Sequence, residues 1–319
     1  MSFFEAKKIK KSYENLPALQ EFSLCLNRGE FLSIVGESGS GKSTLLRILA
    51  GLEVQDSGNV FLNQEEILNP KKKLVPGYDE VKLIHQDYHL LPNSTVAENI
   101  RRPLLHYDKK YAKVREEKLL QQFGLKDFRD RLPRQLSGGQ QQKVAIAAAL
   151  AIEPEVLLLD EPFSSLDTIQ KHRLIDELGN LFQTSKTTVI FVTHDLDDAL
   201  RLTDNLIILR NGAVVQKGNS FELCTQPQSQ YVARLFSHIN AIPGEKNEFI
   251  RPNEVKLRSK AGLLGHVVDL RFLVHFNSLQ IKLKESGQVW EVDDPLRKYQ
   301  VGDRVYLQWE KEKVMQLLS

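Results

Sequence analysis

The sequence predicts an α/β fold with a largely parallel core sheet, followed by a small C-terminal domain made of β-strands. Through about residue 210, short β-branched segments alternate with amphipathic helical segments, which is the pattern of an α/β domain. Two strand segments, 156–159 and 189–192, are apolar throughout, as expected for strands covered on both faces. After Pro243-Gly244 the pattern changes to short alternating strands separated by turn residues, which predicts a barrel-like β-domain.

The strand and helix segments of the first part follow one another in the order that an α/β domain requires. The strand candidates are 31–35, 82–85, 156–159 and 188–192, and the helix candidates are 44–52, 141–152 and, later, 231–239. Between about residues 90 and 150 helical spacing replaces strand character, which predicts a helical subdomain inserted between strands. The apolar segments on either side of Asn211-Gly212 predict a β-hairpin at the margin of the first domain.

The predicted domain boundary divides the chain into residues 1–240 and residues 241–319, the second being the small all-β domain. The strand candidates of that domain are 265–272, 278–284, 288–292 and 304–309. Its aromatic residues could form a stacking platform for nucleic acid or sugar, but the pattern favours a hydrophobic core. These residues are Phe272, Phe276, Trp290, Tyr306 and Trp309.

Composition excludes several classes of protein. The 43 Lys and Arg residues nearly balance the 41 Asp and Glu residues, so no global field would attract nucleic acid. Cys25 and Cys224 are far apart in the sequence, which supports neither a disulfide framework nor a zinc site and fits a reducing cytoplasm. The longest apolar run, 144–152, is too short to span a bilayer, so we expect the chain to reach a membrane only through a partner.

A glycine-rich loop between a strand candidate and a helix candidate predicts nucleoside triphosphate binding. The loop reads Gly36-Glu37-Ser38-Gly39-Ser40-Gly41-Lys42-Ser43-Thr44. Its glycines let the backbone fold around phosphates with several N–H groups pointing inward. Lys42 is placed to bridge the β- and γ-phosphates, and the Ser43 hydroxyl is placed to bind Mg²⁺.

Two further strand ends supply polar side chains beside this loop, because ligands bind at the carboxyl ends of parallel strands. The strand candidate 156–159 is followed by Asp160 and Glu161. One carboxylate is suited to hydrated Mg²⁺ and the other to orienting or deprotonating the attacking water. His194 follows the next strand, where its side chain is placed to hydrogen-bond the γ-phosphate and to link the triphosphate to domain closure.

A second phosphate-binding motif precedes the helix candidate 141–152. The sequence Leu136-Ser137-Gly138-Gly139-Gln140 offers a serine hydroxyl, glycines that permit close approach, and a helix N-terminus. Since the chain has one such motif and one phosphate loop, a symmetric pair of chains would form two complete sites.

On the basis of these motifs, residues 3–240 resemble the ATP-binding subunit of an ABC transporter, a family whose signature is LSGGQ. The resemblance implies that residues 36–44 are the Walker A loop, Asp160 and Glu161 the Walker B pair, and 164–167, ending in Asp167, the D-loop. It further implies that Tyr13 stacks on adenine, that Gln86 is the Q-loop residue and joins Ser43 and Asp160 around Mg²⁺, and that His194 is the switch histidine. Lys143 and Ala148 stand where relatives commonly have arginine, which puts the strength of coupling in question.

The resemblance also implies an assembly. Two cassettes dimerise head to tail, so that each ATP lies between Walker A of one chain and the signature of the other. ATP then acts as an interfacial ligand that hydrolysis releases. The implied partners are a second copy, integral membrane subunits and, indirectly, an extracytoplasmic solute-binding protein, with the chain peripheral to the cytoplasmic face of the inner membrane.

Both domains together resemble the importer subgroup for ferric iron, polyamines, sulfate, molybdate or sugars, and so does the segment 86–100. The short C-terminal domain favours the inorganic-ion or polyamine branch over sugars. The alternatives are an export subunit, or an ABC ATPase that acts on ribosomes or DNA. The latter usually has two cassettes or a long coiled-coil insertion, neither of which is found in this sequence. The C-terminal domain is also a candidate regulatory module.

Overall fold

The computed structural model describes residues 3–85, 87–164, 166–183 and 186–318, which fall into two compact units, 1–219 and 220–319. The strands of the first unit are β1 (Phe4–Tyr13), β2 (Leu16–Leu26), β3 (Phe31–Val35), β4 (Ser57–Leu62), β5 (Glu65–Glu66), β6 (Val81–Ile84), β7 (Val156–Asp160), β8 (Thr188–Thr193), β9 (Asn205–Arg210) and β10 (Ala213–Asn219). Its helices are α1 (Lys42–Leu49), α2 (Val96–Arg101), α3 (Lys109–Gln122), α4 (Gly138–Leu150), α5 (Thr168–Gln183) and α6 (Leu196–Leu202).

The central sheet of the first unit has the order β10-β9-β3-β8-β7-β6. Its strands from β9 to β6 pair in parallel, and β10 adds an antiparallel edge through the hairpin at Asn211-Gly212. Strands β7 and β8 are buried along their whole length, because apolar side chains are covered on both faces. The carboxyl ends of β3, β8 and β7 therefore lie side by side at one edge.

A second sheet in this unit is antiparallel, with the order β2-β1-β4-β5. It packs with α1 and one face of the central sheet into a core that includes Phe4, Phe22 and Leu46. The helices α2, α3 and α4 follow β6 and precede β7, and they pack on the other face of the central sheet. Helices thus occupy the region where helical spacing was found in the sequence.

The second unit begins with two short helices and continues as antiparallel sheets. Its elements are α7 (Ser220–Thr225), α8 (Gln230–Phe236), β11 (Asn240–Ala241), β12 (Glu248–Ile250), β13 (Lys256–Arg258), β14 (Leu263–Phe272), β15 (Asn277–Leu283), β16 (Val289–Asp294), β17 (Arg304–Gln308) and β18 (Met315–Gln316). The main sheet has the order β13-β17-β14-β15-β16 and curls around a core centred on Trp290, which packs on Trp309. The other three predicted core aromatics lie outside this core: Phe272 is exposed under the Arg297 guanidinium, and Phe276 and Tyr306 are half-buried.

A buried carboxylate ties α3 to its neighbours. Glu116 is 1% exposed, and its oxygens lie 2.7 Å from Arg101 Nε and 2.8 Å from Arg129 Nη2. We expect Glu116→Gln to lower the free energy of unfolding by about 2 kcal/mol, because both arginines lose a buried partner while water screens part of the loss. Urea unfolding measures this change. The matched control is Glu117→Gln, at a partner of Arg129 whose side chain is 42% exposed, and an equal effect of the two variants would contradict the expectation.

Candidate functional site

The glycine-rich loop connects β3 to α1 at the carboxyl edge of the central sheet. Two of its glycines are required by close backbone approach. A Cβ on Gly41 would lie 2.3 Å from the Ala18 carbonyl oxygen, and Gly41 has a φ of +98°. A Cβ on Gly36 would lie 2.2 Å from the carbonyl oxygen of Leu209. The loop is therefore held against β2 and β9 in a conformation that a larger residue would disrupt.

The N-terminus of α1 is open toward the loop. Gly41 provides no side-chain cap, so the first N–H groups of the helix, beginning at Lys42, have neither a side-chain cap nor an intrahelical acceptor. The Ser40 hydroxyl is buried and finds no hydrogen-bond partner among the described residues. Unsatisfied donors at a helix N-terminus fit the oxygens of a phosphate group.

Lys42 places a buried cation inside the loop. Its ammonium donates to the carbonyl oxygens of Gly36, at 2.8 Å, and Glu37, at 3.0 Å. The same ammonium lies 3.4 Å from a carboxylate oxygen of Glu161. The loop therefore offers a positive charge that its own backbone carbonyl oxygens orient.

Asp160 and Ser43 meet where β7 ends and α1 begins. The Ser43 hydroxyl donates to Asp160 Oδ1 at 2.9 Å. Burial raises the pKa of Asp160 above its usual value, although the Ser43 hydrogen bond acts in the opposite direction. Hydroxyl and carboxylate oxygens are the hard ligands that Mg²⁺ prefers, so this pair fits a magnesium ion.

Glu161 lies between Lys42 and His194. One of its oxygens is 2.9 Å from His194 Nδ1, and its backbone N–H donates to the Val192 carbonyl of β8 at 3.1 Å. The φ of Glu161 is +42°, a left-handed conformation that is costly for a glutamate and that often occurs at functional sites. A carboxylate held between a cation and an imidazole is placed to accept a proton from water.

The signature motif forms the first turn of α4, so the helix begins at Gly138 and not at the predicted residue 141. Ser137 is the N-cap: its hydroxyl accepts the Gln140 N–H at 3.4 Å, while the Gln140 side chain accepts the Ser137 N–H at 2.9 Å. Leu136 is buried, and Gly138 and Gly139 face Leu166 and Gln170. A cavity of about 370 Å³ adjoins Ser137, Gly139 and Gln140. Among the described residues, no hydrogen bond or ion pair joins this motif to the phosphate loop.

Three other predicted residues lie on different elements. Asp167 precedes α5 and accepts the Gln170 N–H at 3.0 Å. Tyr13 ends β1 with 44% of its surface exposed, and the Lys11 ammonium lies 4.8 Å from its ring centre. Gln86 lies outside the described residues, so its predicted place in the site stays a prediction.

Two lysines near these residues are not identified by the sequence analysis. Lys11 shares a strand face with Tyr13. Their spacing of two residues is the one feature of the sequence that indicates this contact. Lys171 forms ion pairs with Asp195 and Asp198, beside His194.

Lys143 forms an ion pair with Glu177 of α5, so the residue that replaces an arginine keeps a charged partner. The effect of alanine at 148 stays a prediction.

Comparison of the sequence with known proteins identifies the family of this chain. Residues 19–164 match the family model of the ABC transporter. The spermidine/putrescine import ATP-binding protein PotA of Bacillus cereus is 35% identical over 316 residues, covering 95% of both chains. The chain belongs to the ABC transporter family. PotA of Aggregatibacter actinomycetemcomitans is 33% identical and covers 96% of this chain and 93% of its own length.

Solved structures of ABC cassettes agree with the fold of the first unit. The ATP-binding cassette MJ0796, described as a dimer bound to ADP and Pi, has a TM-score of 0.60 and 31% identity, covering 68% of this chain and 98% of its own. Cassette cbiO1 from Clostridium perfringens, part of the complex cbiONQ, has a TM-score of 0.64 and 26% identity, covering 70% of this chain and 90% of its own.

These matches confirm the predicted family, the α/β cassette with a barrel-like C-terminal domain, and the predicted function. The chain is an ATP-binding ABC subunit that hydrolyses ATP to drive import, and the export and ribosome or DNA alternatives are not favoured. Cassettes of this family dimerise and work with membrane subunits in importers. No helix within the described ranges has the length and apolar character needed to cross a membrane.

Proposed function

We propose that the imported substrate is a polyamine, which is an organic polycation, and not ferric iron or another inorganic ion. The observation that supports this choice is the length of the similarity. The relatives named for spermidine and putrescine import match 95–96% of this chain, so the similarity includes the second unit and not only the ATPase core.

The test is uptake by cells that express the complete transporter. The chain is co-expressed with its membrane and solute-binding subunits in cells that lack polyamine uptake, and labelled spermidine, putrescine and ferric iron are supplied separately. We expect uptake of the polyamines alone, and the same cells carrying Glu161→Gln serve as the transport-dead control. Uptake of ferric iron without polyamines would contradict the substrate while leaving the ATPase role intact.

We propose that the site residues divide the work of phosphoryl transfer as follows. The N–H groups of the loop and Lys42 bind the phosphates of ATP, while Ser43 and Asp160 hold Mg²⁺, with Gln86 as a third contributor. The ion supplies charge neutralisation at the phosphates when bound. Glu161 accepts the proton of the attacking water, and His194 orients Glu161 and contacts the γ-phosphate.

We propose further that the working form is a symmetric pair of these chains. The signature Ser137 and its neighbouring N–H groups then contact the ATP held by the partner, and Asp167 lies beside that contact. Membrane subunits dock on the pair at the cytoplasmic face of the membrane, and a solute-binding protein delivers the polyamine on the other side. Support comes from the single copy of each motif in the chain and from the dimeric cassette among the relatives.

Tyr13 is proposed to stack on adenine, with Lys11 fixing the ring. The Lys11 ammonium lies over one face of the ring and also reaches Glu53, at 3.5 Å, so the opposite face is left for the base. We expect Tyr13→Ala to weaken ATP binding by about tenfold, the loss of one stacking contact, and Lys11→Met to weaken it less. Fluorescence titration with a nucleotide analogue measures both. Unchanged affinity in Tyr13→Ala would contradict the stacking role.

A further inference from the structure

An ion cluster joins the first turn of α5 to the loop that carries His194. The ammonium of Lys171 lies 2.7 Å from Asp195 Oδ2 and 2.8 Å from Asp198 Oδ1. Asp195 directly follows His194, and Asp198 lies in the first turn of α6. One lysine therefore binds both carboxylates that flank the start of α6.

The cluster is shielded from water at its centre. Asp198 is 4% exposed, and the side chain of Lys171 is 16% exposed. Burial raises the pKa of Asp198, and the Lys171 ammonium opposes that rise. A cavity of about 80 Å³ is lined by this cluster together with Glu161 and His194, and Lys171 is the single lysine or arginine among its described lining residues.

The contacts of Asp195 show how the cluster acts on the histidine. Its backbone N–H donates to the Thr193 hydroxyl at 3.0 Å, and its Oδ1 accepts the Asp197 N–H at 3.0 Å, which leaves Oδ2 for Lys171. The His194 side chain is 56% exposed, so few packing contacts fix its direction. Its orientation toward Glu161 therefore depends on the backbone that Asp195 holds in place.

Lys171 is itself anchored to the segment before α5. Its backbone N–H donates to the Asp167 carbonyl at 2.8 Å, in the first turn of the helix. The ion cluster thus connects two loops that both belong to the proposed reaction site, the Asp167 segment and the His194 loop.

We propose that Lys171 is a positioning residue for ATP hydrolysis, which holds His194 against Glu161 by binding Asp195 and Asp198 to the first turn of α5. The proposal rests on the proposed roles of Glu161 and His194. Lys171 makes no contact with the phosphate loop among the described residues, so it acts on turnover and not on nucleotide binding.

The first test separates turnover from binding in the full chain. We expect Lys171→Met to lower kcat about 10- to 100-fold, the effect of a small misplacement of a reacting group, with the Kd for ATP unchanged within about twofold. Lys171→Arg should restore most of the activity, because it keeps a cation between the two carboxylates. Unchanged kcat in Lys171→Met would overturn the proposal.

The matched control is an ion pair that joins the same two helices away from the cluster. Arg201 Nη1 of α6 lies 3.7 Å from Asp176 Oδ1 of α5, with exposed side-chain fractions of 40% and 60%. We expect Arg201→Met to leave kcat unchanged. A loss equal to that of Lys171→Met would mean that any link between α5 and α6 has the same effect, and the specific role of Lys171 would be wrong.

A second pair of variants separates positioning from stability. Lys171→Met alone leaves Asp198 buried without a cation, so thermal unfolding should shift to lower temperature. In the double variant Lys171→Met/Asp198→Leu an apolar pair replaces the charges, so the thermal midpoint should recover. The kcat should stay low, because Asp195 still lacks its lysine partner. Recovery of kcat together with stability would overturn the proposal.

The last test asks whether Lys171 acts through His194. In single-turnover hydrolysis, we expect Lys171→Met to cause no further loss in a His194→Ala background, since the two residues belong to one unit. An equal fold-loss in both backgrounds would overturn the proposal and leave the role of His194 intact. Normal hydrolysis by His194→Ala alone would instead overturn the proposed role of the histidine, and the inference with it.

Discussion

Replacing Glu161 by glutamine is expected to slow ATP hydrolysis by at least about 100-fold while ATP binding is retained. Glutamine keeps the size of the side chain and can still hydrogen-bond His194, which lies 2.9 Å away. It cannot accept a proton from the attacking water. The ammonium of Lys42, 3.4 Å from Glu161 in this structure, stays available for phosphate. The variant therefore removes the proposed base without removing the binding site.

Two measurements check this expectation. Single-turnover hydrolysis gives the rate, and sedimentation in saturating MgATP shows whether the variant accumulates as a closed dimer, since unhydrolysed ATP keeps the two chains together. The control is Glu153→Gln, at an exposed carboxylate that precedes β7 and pairs with Arg115. Near-normal turnover of Glu161→Gln would remove Glu161 from the role of general base.

Replacing Ser137 by phenylalanine is expected to abolish hydrolysis while the isolated chain still binds ATP. Ser137 is exposed at the start of α4, beside the cavity of about 370 Å³, and no described contact ties it to the phosphate loop of its own chain. A bulky ring at this position would block a γ-phosphate brought in by a partner chain. Loss of the N-cap costs about 1 kcal/mol, which is too little to unfold the domain.

The control for this variant is a second serine N-cap with the same hydrogen-bond length. Ser229 caps α8 in the C-terminal unit, where its hydroxyl accepts the Val232 N–H at 3.4 Å. Ser229→Phe should lose the cap and keep hydrolysis. Equilibrium titration of each variant with nucleotide completes the test: if Ser137→Phe loses ATP affinity as an isolated chain, the signature acts on its own nucleotide and the trans site is wrong.

The sequence predicts the strands of the central sheet well and the strands of the antiparallel sheet in the first unit poorly. The predicted ends of strand β3 match the observed ends, because four of its five residues are apolar and the strand is covered on both faces. The antiparallel sheet of β1, β2, β4 and β5 was not predicted. Strand β1 carries five charged residues, and residues in the left-handed conformation, Lys8 of β1 and Glu21 of β2, interrupt the alternation of period two.

The grouping of the proposed reacting residues was predictable because strand ends converge in an α/β sheet. Asp160, Glu161 and His194 indeed lie together beside the glycine-rich loop. What escaped prediction depends on side-chain direction. Lys171 reaches carboxylates that are 24 and 27 residues away in sequence, and no local period reports such a contact. The start of α4 was missed because Gly138-Gly139 resembles a loop until the capping box at Ser137 is considered.

The order of the central sheet has a consequence for how this protein could be re-engineered. The residues proposed to act on the phosphates follow β3, β8 and β7, whereas α2, α3 and α4 are encoded by one uninterrupted stretch between β6 and β7. That stretch can be exchanged for the equivalent stretch of a relative together with Gln86 and the signature residues 136–140. Chimeras made in this way would keep the glycine-rich loop, Asp160, Glu161 and His194 of the parent chain.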